Sequence, residues 1–179
     1  MAVEQLNAIA EDLKIKGYKK MDVETLRYAI LDEEAVQNAM KDAGLKFTEH
    51  NHRLIPAMEI SRKAYYPELL AELKKHKKYT ALFFASDLYA IEAMNYFMDN
   101  GLNVPGDISI AGFDDIKHAT IVRPCLPTVS QNMPLKAAMA VNALLNIIHK
   151  YKISTRNVVL PVDIVERDSV ASLKEGKLE

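Results

Sequence analysis

The chain of 179 residues holds one cysteine, Cys125, so it forms no internal disulfide. It lacks any apolar run near the roughly 18 residues that a membrane span needs. Its start, MAVEQLNAIAEDLK, carries acidic residues and no continuous apolar core, so no secretory signal is expected. Positive charge is not in excess: 23 Lys and Arg stand against 24 Asp and Glu, for a net charge of -1. With these spread along the chain, no basic field favours a phosphate backbone. No Gly-Lys-Ser/Thr loop is present to cradle a nucleotide phosphate. Repeats and low-complexity tracts are absent as well. What remains is 49% hydrophobic, enough for one globular core or two small ones, and a cytoplasmic protein is expected.

The chain is organised around Tyr79 to Asp115, which reads as one strand, helix, strand unit. Ala81 to Ala85 is a short apolar run of the kind buried on both faces of a parallel sheet. Ser86 and Asp87 stop it and offer an N-cap. Leu88, Ile91, Met94, Phe97 and Met98 then recur at helical spacing until Asn100-Gly101, a left-handed stop. Val104 to Asp107 turns the chain into a second buried strand, Ile108 to Gly112, ending at Phe113-Asp114-Asp115. A crossover of this length is right-handed and parallel, so Ser86, Asp87, Asp114 and Asp115 meet at the carboxyl edge of one sheet. Open α/β folds bind ligands at that edge.

Before this unit, the spacing predicts a helix over Met1 to Gly17, an extended piece at Tyr18 to Met21, and a helix over Asp32 to Ala43. Val23 to Ala29 fits both periods, and a strand is preferred. Lys46 to Ile55 reads as an exposed strand. A helix from Glu59 or Ser61 to Lys77 follows, with Pro67 placing its regular part from Tyr66 onward. After the unit, Ile116 to Val129 is an irregular crossing segment, Asn132 and Pro134 open a long apolar helix, and Asn157 to Val165 is a closing strand. The alternation predicts an α/β three-layer sandwich with a mainly parallel sheet.

The ordered blocks F-A-S-D-L-Y-A-I-E-A-M, G-L-N-V-P-G-D-I-S-I-A-G-F-D-D and P-C-L-P-T-V-S-Q, spanning Phe83 to Gln131, resemble the effector-binding domain of the LacI/GalR family of transcriptional regulators. Val158 to Ser169 resembles that family's final strand. The resemblance implies a type I periplasmic-binding-protein-like fold of two subdomains, with a small polar, sugar-like effector in the cleft between them. It implies a homodimer, to which surplus apolar residues on the Tyr89 to Met98 helix would contribute. Operator DNA would be engaged only through a helix-turn-helix that this sequence does not include. On the family's plan, residues 1–20 are a remnant of the first subdomain and 21–130 form the second. Residues 131–152 then make a helix returning to the first, and 153–179 hold the closing strand and tail. No cofactor, metal, catalytic residue or membrane partner is implied.

The resemblance assigns effector contact first to Asp114, whose carboxylate would accept hydrogen bonds from hydroxyls; capping the next turn is the plainer alternative. Ser86 stands where the family usually carries Asn, and serves either as a contact or as an N-cap. Gln131 is either a contact on the crossing strand or a solvated residue. Asp87 belongs to the same set, mainly as a structural cap. Asp32 falls where sugar-responsive members carry a clamping Arg, a reversal of charge that speaks against a standard sugar, and Arg27 does not match that register. The Glu49-His50-Asn51-His52 run has no third ligand at metal-binding spacing. Two other readings stay open: a magnesium-dependent phosphoryl transferase using Asp87, Asp114 and Asp115, and an interaction module that has lost its effector site.

Overall fold

In the computed structural model the described residues are 3–13, 15, 17–46, 48, 51–53, 55–56, 58–76, 79–151 and 158–172, without the side chains of 28, 31–32 and 35–36. They fall into two compact units, Met1–Glu59 and Ile60–Glu179.

The first unit is helical. Helix α1 is Val3–Asp12, ending before the expected Gly17, and Leu6 and Ala10 are its buried residues. Tyr18–Lys20 forms a 3-10 turn where an extended piece was expected; Gly17, at φ 75°, turns the chain into it. The expected strand over Val23 to Ala29 is instead the start of a 20-residue helix, α2, Val23–Asp42. The cause is at its first turn. Asp22 Oδ1 accepts from the backbone N–H of Glu24 and Thr25, both at 3.0 Å, and Oδ2 accepts from the Thr25 hydroxyl. Leu26 and Ile30, four residues apart, then bury one helical face with Leu6, Ala10 and Ile15. The expected strand over Lys46 to Ile55 is also overturned: none of its described residues is a strand. Asn51 folds the segment back on itself, its side chain accepting from Thr48 N and donating to Lys46 O. Glu49 and His50 lie outside the described residues. His52 sits 3.6 Å from Glu33.

The second unit begins with α3, Glu59–Lys75, which runs straight through Pro67 rather than starting at Tyr66. Pro67 supplies no N–H to the helical ladder, and burial of Tyr66, Leu69, Leu70 and Leu73 offsets that loss. The sheet has the order β1-β2-β3-β4: β1, Ala81–Phe83; β2, Ser109–Phe113; β3, Thr128–Ser130; β4, Asp163–Val165. The first three are parallel neighbours and β4 is antiparallel to β3, which makes the unit α/β and mainly parallel, as expected. Strand β1 is not buried on both faces. It lies at the sheet's edge, with Phe83 64% exposed. The closing strand is shorter than expected, because 158–162 are irregular and, apart from the half-buried Leu160, exposed.

Helix α4, Asp87–Asp99, packs on β2 through Ala90, Ala93, Met94 and Phe97, whereas Leu88 stays exposed. Gly101 ends it at φ 84°, its N–H and that of Leu102 bonded to the carbonyls of Met98 and Phe97. Arg62 ties α3 to α4. Its Nε and Nη2 donate to Glu92 at 2.8 and 3.1 Å, the Tyr66 hydroxyl donates to the same carboxylate, and the guanidinium lies over the Tyr89 ring.

Arg62 is buried, so Glu92→Gln removes the counter-charge that Glu92 supplies to a buried cation and is expected to cost about 3 kcal/mol in urea unfolding. The Arg62 hydrogen bonds hold the Glu92 carboxyl below the usual range against the opposing effect of burial. The stabilisation is therefore complete above the ordinary carboxylate range and is lost as pH falls through the lowered value. The variant should flatten that part of the pH–stability curve; an unchanged acid limb would remove the pair as its source.

Candidate functional site

The carboxyl edge of β2 is built by backbone geometry that few residues adopt. Asp114 has φ 120° and Asp115 φ 55°, two successive positive values after the strand ends. Three hydrogen bonds hold this turn. Asp114 N–H donates to Val129 O at 3.0 Å, Asp115 N–H to the Thr128 hydroxyl at 3.3 Å, and Ile116 N–H to Asp87 Oδ2 at 2.9 Å. Thr128 in turn donates to Asp87 Oδ1 at 2.5 Å. Asp87 is 0% exposed, and its two oxygens bind one group from the turn and one from β3. It therefore anchors the edge from beneath.

Asp114 is the half-buried carboxylate on that edge. Gln131 Nε2 donates to its Oδ1 at 2.9 Å, and the Ser86 side chain lies near enough to stabilise its charge. Ser86 occupies the N-cap position of α4, and its side chain makes no cap bond. Burial pushes the Asp114 carboxyl above its ordinary value and the charge of Asp87 adds to this, while Ser86, Gln131 and Lys136 pull it back. Helix α5, Met133–Ile148, starts directly beyond Gln131. Asn132, at φ 49°, turns the chain and caps the helix by accepting from Leu135 N–H. That turn brings Lys136 Nζ to 2.9 Å from Gln131 Oε1.

The structure thus brings together Ser86, Asp114 and Gln131, and sets Asp87 below them. Asp115 turns elsewhere: Arg167 Nη2 donates to its Oδ1 at 2.5 Å, and Arg167 Nη1 to Leu126 O at 2.7 Å. The three strand-end aspartates are therefore engaged by different partners, and among the described residues no three His, Cys, Asp or Glu groups are placed to hold a metal ion. Asp32 lies on α2 with its side chain outside the described residues, and Arg27 is exposed on the same helix. Sequence reasoning missed Thr128, Lys136 and Arg167. Thr128 and Arg167 lie in blocks that carry the family resemblance, but nothing in their spacing told which partner they reach.

The sequence profile described as Periplasmic binding protein-like domain matches residues 14–170. The HTH-type transcriptional regulator MalR of Clostridium butyricum is 37% identical over 116 residues, 65% of this chain and 34% of that protein. The HTH-type transcriptional regulator RegA of Clostridium saccharobutylicum is 32% identical over 133 residues, 74% of this chain and 39% of that protein. Among solved structures, the complex of the transcriptional regulator CelR with cellobiose superposes with a TM-score of 0.66 and 25% identity, covering 79% of this chain and 42% of that one. The chain spans little more than a third of the curated relatives' length. With the parallel sheet, the strained aspartate turn at its carboxyl edge and the profile match over most of the chain, this protein belongs to the periplasmic-binding-protein-like domain family found in LacI/GalR-type transcriptional regulators.

Proposed function

We propose that this chain is the effector-sensing and dimerising part of a LacI/GalR-type regulator, acting in the cytoplasm, and that Asp114, Ser86 and Gln131 bind a small polyhydroxylated ligand. The observation that supports this most is the Asp114 carboxylate, held at φ 120° on the carboxyl edge of β2 with the Gln131 amide bonded to it and Ser86 beside it. A carboxylate accepts from ligand hydroxyls, while the Ser86 hydroxyl and the Gln131 amide both donate and accept, so the trio can read a pair of adjacent hydroxyl groups. Asp87 keeps the edge in place from below and does not touch the ligand. On this reading residues 21–130 and 153–179 belong to one effector-binding lobe and 131–152 to a helix returning to the other. Ligand binding would shift the population of lobe arrangements, and so the spacing of attached DNA-binding heads.

Isothermal titration of the whole chain against a panel of sugars and polyols, neutral and acidic, tests this. At least one should bind, and Asp114→Ala should weaken it at least about tenfold with the melting temperature held. Because hydroxyl donors favour the ionised carboxylate, affinity should be constant above the raised Asp114 value and fall as the pH drops through it. Absence of binding across the panel, or an Asp114→Ala variant that binds as the parent does, would sink the proposal.

The interaction-module reading draws on one observation of its own. Helix α5 has no buried residue, and Val141, Leu144, Leu145, Ile147 and Ile148 are all exposed. Dimerisation with no ligand response would favour it.

A further inference from the structure

We infer that Lys136 makes this site selective for polyhydroxylated ligands that carry a carboxylate, such as sugar acids, over their neutral counterparts; this rests on the ligand-site reading above. The hydrogen bonds of the site run in one direction. Lys136 Nζ donates to Gln131 Oε1 at 2.9 Å, and Gln131 Nε2 donates to Asp114 Oδ1 at 2.9 Å. The amide of Gln131 therefore separates a cation from an anion within one short chain of groups. An ammonium has three donors, and the bond to Gln131 occupies one of them. Lys136 is exposed on the first turn of α5, which the Asn132 cap sets directly after Gln131, so its ammonium lies beside the Gln131 amide with donors left for a ligand.

A neutral sugar offers no charge to the Lys136 end of this row. A ligand with hydroxyls at one end and a carboxylate at the other satisfies both ends, its anion placed on Lys136 and separated from Asp114 by the Gln131 amide. The same arrangement penalises a ligand whose anion falls at the Asp114 end, where Asp87 and Asp114 both repel it. Lys136 thus fixes the orientation of the ligand as well as its class. The helix-returning segment, rather than the G-F-D-D edge, carries this selectivity.

The test is titration calorimetry of the whole chain with two matched pairs, D-gluconate against D-glucitol and D-galacturonate against D-galactose, for the parent and for Lys136→Met. At least one acid should bind about tenfold more tightly than its neutral partner, as a charge-assisted hydrogen bond would provide. Lys136→Met should remove that preference, bringing acid and neutral affinities within each pair together. Equal affinities within each pair would overturn the inference while leaving the ligand site standing. So would a Lys136→Met variant that weakens acid and neutral alike, since Lys136 would then act only through Gln131 and Asp114. If none of the four binds a folded chain, the ligand-site reading fails and the inference falls with it.

Discussion

Gly112→Ala should lower the stability of the Ile60–Glu179 unit by about 3 kcal/mol or more, combining overpacking with the loss of buried hydrogen bonds. Space, not backbone freedom, is what the glycine provides. A Cβ at this position would overlap Asp87 Oδ1 and stand 3.0 Å from Leu126 Cδ2 and 3.1 Å from Asp87 Cα. A flexible side chain could swing aside, but the Asp87 carboxylate is held by the Thr128 hydroxyl and by Ile116 N–H. Relief therefore means moving the first turn of α4 off β2 or giving up both hydrogen bonds. Gly106→Ala is the control, because its Cβ would meet nothing closer than Asn103 Cβ at 3.4 Å. Urea unfolding should show a midpoint loss for Gly112→Ala and a change within about 0.5 kcal/mol for Gly106→Ala. A Gly112→Ala midpoint near the control's would mean that β2 and α4 do not approach this closely.

Asp87→Ala should be nearly as costly, about 3 kcal/mol, because it strips the acceptor from two groups at once. The Thr128 hydroxyl and the Ile116 N–H would both lose their partner next to a fully buried position. The damage should spread to binding, since the Ile116 bond is one of three that hold the Asp114–Asp115 turn at positive φ. Asp87→Ala and Thr128→Val should not add: the double variant should be less destabilised than the sum of the two by at least about 1 kcal/mol. Strict additivity in that cycle would deny that the two side chains work as a pair.

Much of the second unit was legible from local pattern. Asn100-Gly101 ends α4 as a left-handed stop should, and the apolar run of Ile108 to Gly112 is a strand parallel to its predecessor. These features depend on neighbours in sequence. Val23 to Ala29 was misread because Leu26 and Ile30 satisfy a helical spacing and, with Tyr28, a strand-like alternation too. Asp22 with Thr25 decides between them, and that cap was the signal to weigh. The exposure of Phe83 was not legible at all, since an edge strand and a central strand share the same apolar composition. In the site, Ser86, Asp114 and Gln131 do meet, from three separate elements. The partners found only in three dimensions are those that fold back from a distance. Arg167 reaches Asp115 across 52 positions, and Thr128 reaches Asp87 across 41.

On the side of β2 away from β1, the backbone N–H of Gly112 and Asp114 donates to Pro127 and Val129, the regular parallel pattern. Ile110 breaks it: its N–H donates to Ser169 O at 2.8 Å, and the Ser169 hydroxyl returns a bond to Ile110 O at 2.7 Å. Ser169 also donates its N–H to Cys125 O, so it sits as a wedge between β2 and the segment that leads into β3. For a chain emerging from the ribosome this sets a schedule. The rung beside Ile110 stays open until a residue 59 positions later has been made, a wait of about 3 to 12 seconds at ordinary synthesis rates. Throughout that interval the nascent sheet carries an unfilled slot while the apolar α5 is being made.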